Sequence, residues 1–337
     1  VNEGIYSMPL MKSTEVMMYN FGVVQKALIK LFPSAGYSAK DKVIKYMDGI
    51  SWDKLLEIAQ CIIDNKVEFS VPDMEYPVFY DSDSNLFISS MYQQEIPYSS
   101  VGEDKKGRID FDYSTQPENF NKAKGLVDYF TKAHTDGLLT TKGTEGQYGS
   151  YSFTDEKCAI TIGSSGGAGY NAPKTSTQYT IQVAKPPVLN DNPLYVNQGV
   201  TLTMLNNVSL SKEDNYWKQY YAWKFVKFLT NPEVNAVLCI EDSQGYVPVR
   251  YSAYETPEFQ EWLDMPETIM IQSAKVVMRM NEDEAYYTSK SFSGASELRD
   301  QCGGVITTLF LDSEKAKREK TTDEVLKQAI DVAKTKF

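Results

Sequence analysis

The 337-residue chain has room for about two domains at roughly 100–200 residues each, and its 42% hydrophobic and 23% charged residues are ordinary for a globular protein. A formal charge of −11 without a polybasic cluster argues against nucleic acid and anionic membrane surfaces as partners. No stretch approaches the ~18 consecutive apolar residues of a membrane span. The single histidine, His134, precedes Thr135-Asp136-Gly137, where a solvated residue at a helix end is expected. One histidine excludes a histidine-rich metal site, and any histidine-assisted nucleophile would depend on this residue. Cys61, Cys158, Cys239 and Cys302 lack C-x-x-C spacing, which argues against zinc and for free buried thiols.

In chain order, residues 4–19 are extended in character, with Pro9 interrupting the ladder, and residues 20–32 have helical spacing. Val1 is not an initiator methionine and no signal segment follows it, so the opening residues read as the middle of a fold. Ser51 is a good N-cap for a helix through Ile63 that carries Leu55, Leu56, Ile58, Ala59, Ile62 and Ile63 on its apolar side. Asp81, Asp83 and Asn85 imitate a calcium loop. Leu86 stands where that loop needs glycine and Tyr92 where it needs glutamate, so a helix over 85–94 with Asp83 as N-cap is the better reading.

Residues 108–112 suggest a strand, and Ala123, Leu126, Val127 and Phe130 a helix. The run Ala159-Ile160-Thr161-Ile162 fits a buried strand. It empties into Gly163-Ser164-Ser165-Gly166-Gly167-Ala168-Gly169, a loop that suits either backbone contact with a ligand or a tight turn. Its spacing is neither a P-loop nor a dinucleotide fingerprint. Residues 178–185 and 199–206 alternate as strands. Residues 212–229 give an amphipathic helix with Ala222, Phe225, Val226 and Leu229 on its apolar face and Trp223 expected in the core. Residues 245–249 are extended, a helical region follows Pro257, and Thr321-x-x-Glu324 is a capping box for the last helix. Interleaved strands and helices without a repeat point to α/β sheets.

Four motifs stand out: YSMPLMKSTEVMMYN from Tyr6, AITIGSS from Ala159, AWKFVKFLTNPE from Ala222, and GYVPVR from Gly245. In that order and spacing they resemble the extracellular solute-binding proteins of bacterial ABC importers, in the group that includes maltose- and glycerol-phosphate-binding proteins. The resemblance implies an α/β fold of the periplasmic-binding-protein-like type II, with two lobes and a hinge. It implies a second lobe at 12–190 plus 250–337 and a remnant of the first at 1–10 plus 195–248, with crossings near 9–12, 187–196 and 246–250. Most of the first lobe is expected to be missing from this chain.

By the same resemblance the protein is not an enzyme and has neither cofactor nor metal. It captures a carbohydrate or glycerol-phosphate-like solute and delivers it to permease subunits from an extracytoplasmic position, periplasmic or as a lipoprotein. The implied ligand-binding residues are Ser13, Ser164, Ser165, Gly199, Tyr246 and Arg299, the last for an anionic group. Asp81, Asp83 and Asn85 replace an aromatic platform of some relatives; Tyr80 would substitute for it, and Asp83 would bind sugar hydroxyls. The competing reading is a secreted glycoside hydrolase with paired carboxylates, a pair that one sequence cannot single out.

Overall fold

The computed structural model describes residues 7–174, 179–283, 286–315 and 318–337; Tyr6 of the first motif and Gln178 lie outside them. The extended opening becomes β1 (Met8–Ser13) and β2 (Glu15–Asn20), separated at Thr14. Pro9 sits where the register of β1 shifts, as a residue without an N–H requires. The side chain of Asn20 caps α1 (Phe21–Leu31), and that of Ser51 caps α3 (Trp52–Asp64), after the short α2 (Lys40–Met47). β3 (Val78–Tyr80) then leads into α4 (Asp83–Gln93). Its N-cap is Ser82, whose hydroxyl takes the Asn85 N–H, so Asp83 is freed for other contacts and is not the cap.

The small hairpin β4 (Ser99–Val101) and β5 (Gly107–Ile109) precedes α5 (Pro117–Thr135). β6 (Leu139–Thr141), α6 (Lys142–Glu145) and α7 (Gly149–Thr154) follow, then β7 (Ile160–Ser164) and a 3₁₀ turn over Ser165–Asn171. Next come β8 (Ile181–Ala184), β9 (Tyr195–Val196), β10 (Gln198–Leu202), α8 (Lys212–Leu229) and α9 (Pro232–Val237). The chain closes with β11 (Val247–Pro248), α10 (Tyr251–Tyr254), α11 (Pro257–Leu263), α12 (Ile269–Glu282), β12 (Tyr286–Tyr287), α13 (Ala295–Ser313) and α14 (Thr322–Lys334). The capping box of α14 forms as expected, with both Thr321–Glu324 bonds present.

Two sheets organise these elements. A five-stranded mixed sheet has the order β6-β3-β7-β2-β8, and a three-stranded antiparallel sheet has β10-β1-β11. β2 is buried throughout and alternates between two cores. Met17 and Tyr19 face a large cluster with α1, α3, α4, α5, α13 and α14, whereas Val16 and Met18 face a second cluster with α11 and α12. A sheet covered on both faces explains the nearly continuous apolar run of this strand.

The chain passes between the sheets at Thr14. Its N–H donates to Ser165 Oγ at 3.2 Å, its carbonyl accepts the Ser165 N–H at 2.7 Å, and its hydroxyl donates to Val196 O at 2.8 Å.

Two further expectations fail. His134 is not solvated; it is 2% exposed and stacks against Tyr76 and Phe310, with ring centroids 5.3 and 4.4 Å away. Its Nδ1 pairs with Leu139 O and its Nε2 with Glu314 Oε1, so the polar edges are satisfied while the faces pack. α8 forms over the expected span but buries only Val226, and Trp223 is 40% exposed. The four cysteines are free and buried, as the spacing suggested.

Candidate functional site

The parallel strands β3 and β7 end side by side, with Tyr80 opposite Ile162, and the antiparallel β2 begins there, with Glu15 opposite Ser164. Carboxyl ends of parallel strands leave a crevice where the following loops diverge. A cavity of about 860 Å3 opens at this place. Glu15, Asp81, Ser82, Asn85 and Arg299 form one part of its wall, and Gly163, Ser164 and the 3₁₀ turn another. Tyr148, Tyr151, Tyr170 and Tyr246 supply aromatic faces, while Lys142 and Lys174 supply cations. Gln198 and Tyr246 bring in the side of the three-stranded sheet.

The glycine-serine loop has a packing reason for its small residues. A Cβ on Gly166 would come within 2.5 Å of the Tyr246 ring, so glycine lets that ring lie against the turn. Ser164 faces the cavity and also caps the turn, its Oγ accepting the Gly166 N–H at 3.2 Å. The loop is a tight turn that also lines the cavity.

Two carboxyls at the cavity are held by neighbours. Glu15 is 3% exposed; Tyr80 Oη donates to its Oε2 at 2.6 Å and Asn85 Nδ2 to its Oε1 at 2.8 Å. Burial pushes its pKa up to about 7, against the lowering effect of those two bonds and of the Arg299 charge. Asp81 Oδ1 accepts the Gly149 N–H at 2.7 Å, and burial raises its pKa to about 6 despite that bond and Lys142. Arg299 donates from Nη2 to Asn85 Oδ1 at 2.5 Å. The Tyr80 hydroxyl titrates well above its ordinary range, because burial and then the Glu15 charge oppose its ionisation.

Of the eight expected ligand residues, Ser164, Tyr246 and Arg299 line the cavity; Ser13, Tyr80, Asp83, Ser165 and Gly199 do not. Ser13 is buried at the end of β1. Tyr80 lies beneath the wall, 3% exposed and stacked on Trp52, so it offers no platform to a solute. Asp83 accepts from Thr141 and Thr307 hydroxyls and from the Gly143 N–H, tying α4 to α6 and α13 instead of receiving sugar hydroxyls. Ser165 is wholly buried because its hydroxyl holds the crossing at Thr14. Gly199 approaches β1 rather than the cavity, and a Cβ there would fall 2.2 Å from Met11 O.

Sequence reasoning missed Glu15, Tyr148, Tyr151 and Tyr170 as wall residues. A lone acid opening an apolar strand was a usable signal for Glu15, whereas the tyrosines were three among 23.

His134 is not among the cavity-lining residues, so no imidazole is available there as a base. Among the described residues no cluster of three His, Cys, Asp or Glu side chains is placed to hold a metal, and no helix is long and apolar enough to cross a membrane. The site is thus a tyrosine-walled, polar-floored cavity at the strand ends of a mixed α/β sheet.

The chain belongs to the family described as bacterial extracellular solute-binding protein, whose profile matches residues 1–267. No curated protein sequence matches it. Its fold is similar to maltose-bound MalE3 of T. maritima, at 15% identity and a TM-score of 0.64 over 99% of this chain and 73% of that one. It is also similar to UgpB of Mycobacterium tuberculosis in complex with glycerophosphocholine, at 18% identity and 0.66 over 99% and 72%. A solute-binding protein from Thermotoga lettingae bound with α-D-tagatose is similar at 16% identity and 0.65, over 98% and 72%.

Proposed function

We propose that this chain is the substrate-binding component of an ABC importer. It captures a small polar solute, a carbohydrate or a glycerol-phosphate-like molecule, and hands it unchanged to permease subunits. Residues 12–190 plus 250–337 would form one lobe, residues 1–10 plus 195–248 would belong to the other, and an extracytoplasmic lipoprotein anchor would suit this task. Ser164, Tyr246 and Arg299 are the ligand residues, with Tyr148, Tyr151 and Tyr170 added.

The observation that carries the reading is the cavity itself. Its size fits a small solute, tyrosines offer faces to sugar or polyol carbons, and Arg299 offers guanidinium hydrogens to an anionic group. The bound solutes of the similar structures, a maltose and a glycerophosphocholine, bracket the same chemistry. A glycoside hydrolase draws no support, because Glu15 and Asp81 are both engaged by the protein's own donors.

Thermal unfolding against sugars, polyols and glycerophosphodiesters tests the proposal. A true ligand at a hundredfold excess over Kd stabilises by about 2.7 kcal/mol. Glycoside turnover with no stabilisation by any member of the panel would sink it.

A further inference from the structure

One wall of the cavity holds an arginine and a buried acid joined through a single amide. Arg299 gives a guanidinium hydrogen to Asn85 Oδ1, and the other end of that amide gives a hydrogen to Glu15 Oε1. Tyr80 occupies Oε2. No cation lies within ion-pair distance of Glu15 among the described residues, so the Arg299 charge acts on it across Asn85. The groups facing Glu15 are few. Arg299 on α13 favours its ionised form, and Asp81 after β3 opposes it. Tyr80 on β3, Asn85 on α4 and Tyr287 on β12 carry no charge near neutral pH. Besides the Tyr80 and Asn85 hydrogen bonds, the carboxylate is therefore favoured by one positive charge, and that charge also faces the solute.

We propose that capture of an anionic group by Arg299 is coupled to uptake of one proton by Glu15, so that the cavity takes the solute as an anion together with a proton. This rests on the solute-binding reading above. An anion against the guanidinium cancels the Arg299 field, which together with the two hydrogen bonds favours ionised Glu15, and a solute that displaces water lowers the local dielectric further. A solvent proton then joins Oε2, forming one O–H bond. That hydroxyl donates to Tyr80 Oη, and the tyrosine hydrogen turns to Ser89, which already shares a hydrogen bond of 2.8 Å with Tyr287 Oη. The added negative and positive charges balance, and Asn85 keeps its hold on Arg299. Burial already brings Glu15 close to half-ionised at neutral pH, so a modest change in field suffices.

Calorimetric titration with sn-glycero-3-phosphoglycerol in buffers of contrasting ionisation enthalpy counts the protons. A phosphodiester keeps its charge across this range, so the ligand contributes none. The expected result at a pH of about 8 is uptake approaching one proton, with affinity falling up to about tenfold per pH unit above the Glu15 titration. Glu15→Gln, whose amide can donate to Tyr80 as the protonated acid does, should bind with no proton uptake and no pH dependence. An infrared difference spectrum of the unsubstituted protein should show a protonated carboxyl band appear with the ligand, which needs no variant to fold.

Phosphodiester binding without proton uptake, or uptake that survives Glu15→Gln, overturns the coupling and leaves solute binding standing. Binding of neutral sugars alone has the same meaning. Binding of nothing in the panel overturns both readings.

Discussion

Glu15 places an ionisable group at a nearly buried point of the cavity wall, and stability must then depend on pH. The folded pKa, about 7, lies above the ordinary value of 4.5, so between these limits the folded state holds more protons than the unfolded chain. Stability from this group is complete below pH 4.5 and is lost as pH rises through 7. At about 1.4 kcal/mol per pKa unit the loss comes to roughly 3 kcal/mol. Asp81, raised to about 6, adds in the same direction. Denaturant unfolding should therefore show a more stable protein at pH 5 than at pH 8, and Glu15→Gln should flatten most of that slope; an unchanged slope would mean Glu15 is not the buried acid responsible. The sequence shows an acid ahead of Val16-Met17-Met18-Tyr19, but not that Tyr80 and Asn85, 65 and 70 residues away, would close over it. Local pattern marks a residue as unusual, and only the register of β2 against β7 and β3 places it at a cavity.

At the scale of elements, the junction of β1 and β2 shows why Ser164 and Ser165 differ although they are adjacent. A strand end alternates its side chains, so one serine faces the cavity and the next faces the crossing. The Ser165 hydroxyl receives the buried Thr14 N–H. Ser165→Ala leaves that donor unpaired at a cost of about 1–3 kcal/mol, read as a lower denaturation midpoint at unchanged slope; no loss would show that Thr14 finds another acceptor. Elements were legible where their signals were local. The Ser51 cap, the Thr321–Glu324 box and the strand before the glycine loop all form. α8 marks where local signals stop: its period makes a helix, yet Trp217, Phe225 and Phe228 stay exposed. Periodicity says that a helix has an apolar face and says nothing about what covers it. His134 fails for the same reason, because Tyr76 and Phe310 arrive from other elements.

Across the molecule, one sheet serves two cores, and β2 is the strand they share. Met17 belongs to the cluster under α1, α3 and α5, while Met18 belongs to the cluster under α12, and both are fully buried. The cavity sits at the end of this same sheet, so its walls are only as fixed as both cores allow. Two separate domains would let one core melt without the other, but a shared central strand cannot remain paired when either face is lost. Met17→Ala and Met18→Ala should each cost about 2–5 kcal/mol. Because the two side chains point to opposite faces, the double variant should lose nearly the sum. Each variant should also unfold in one transition seen alike by tryptophan fluorescence and far-ultraviolet circular dichroism. Trp52 reports the first core and Trp262 the second. If Met18→Ala moved the Trp262 signal and left the helical signal of the first core in place, the two faces would be independent units and the shared strand would not couple them.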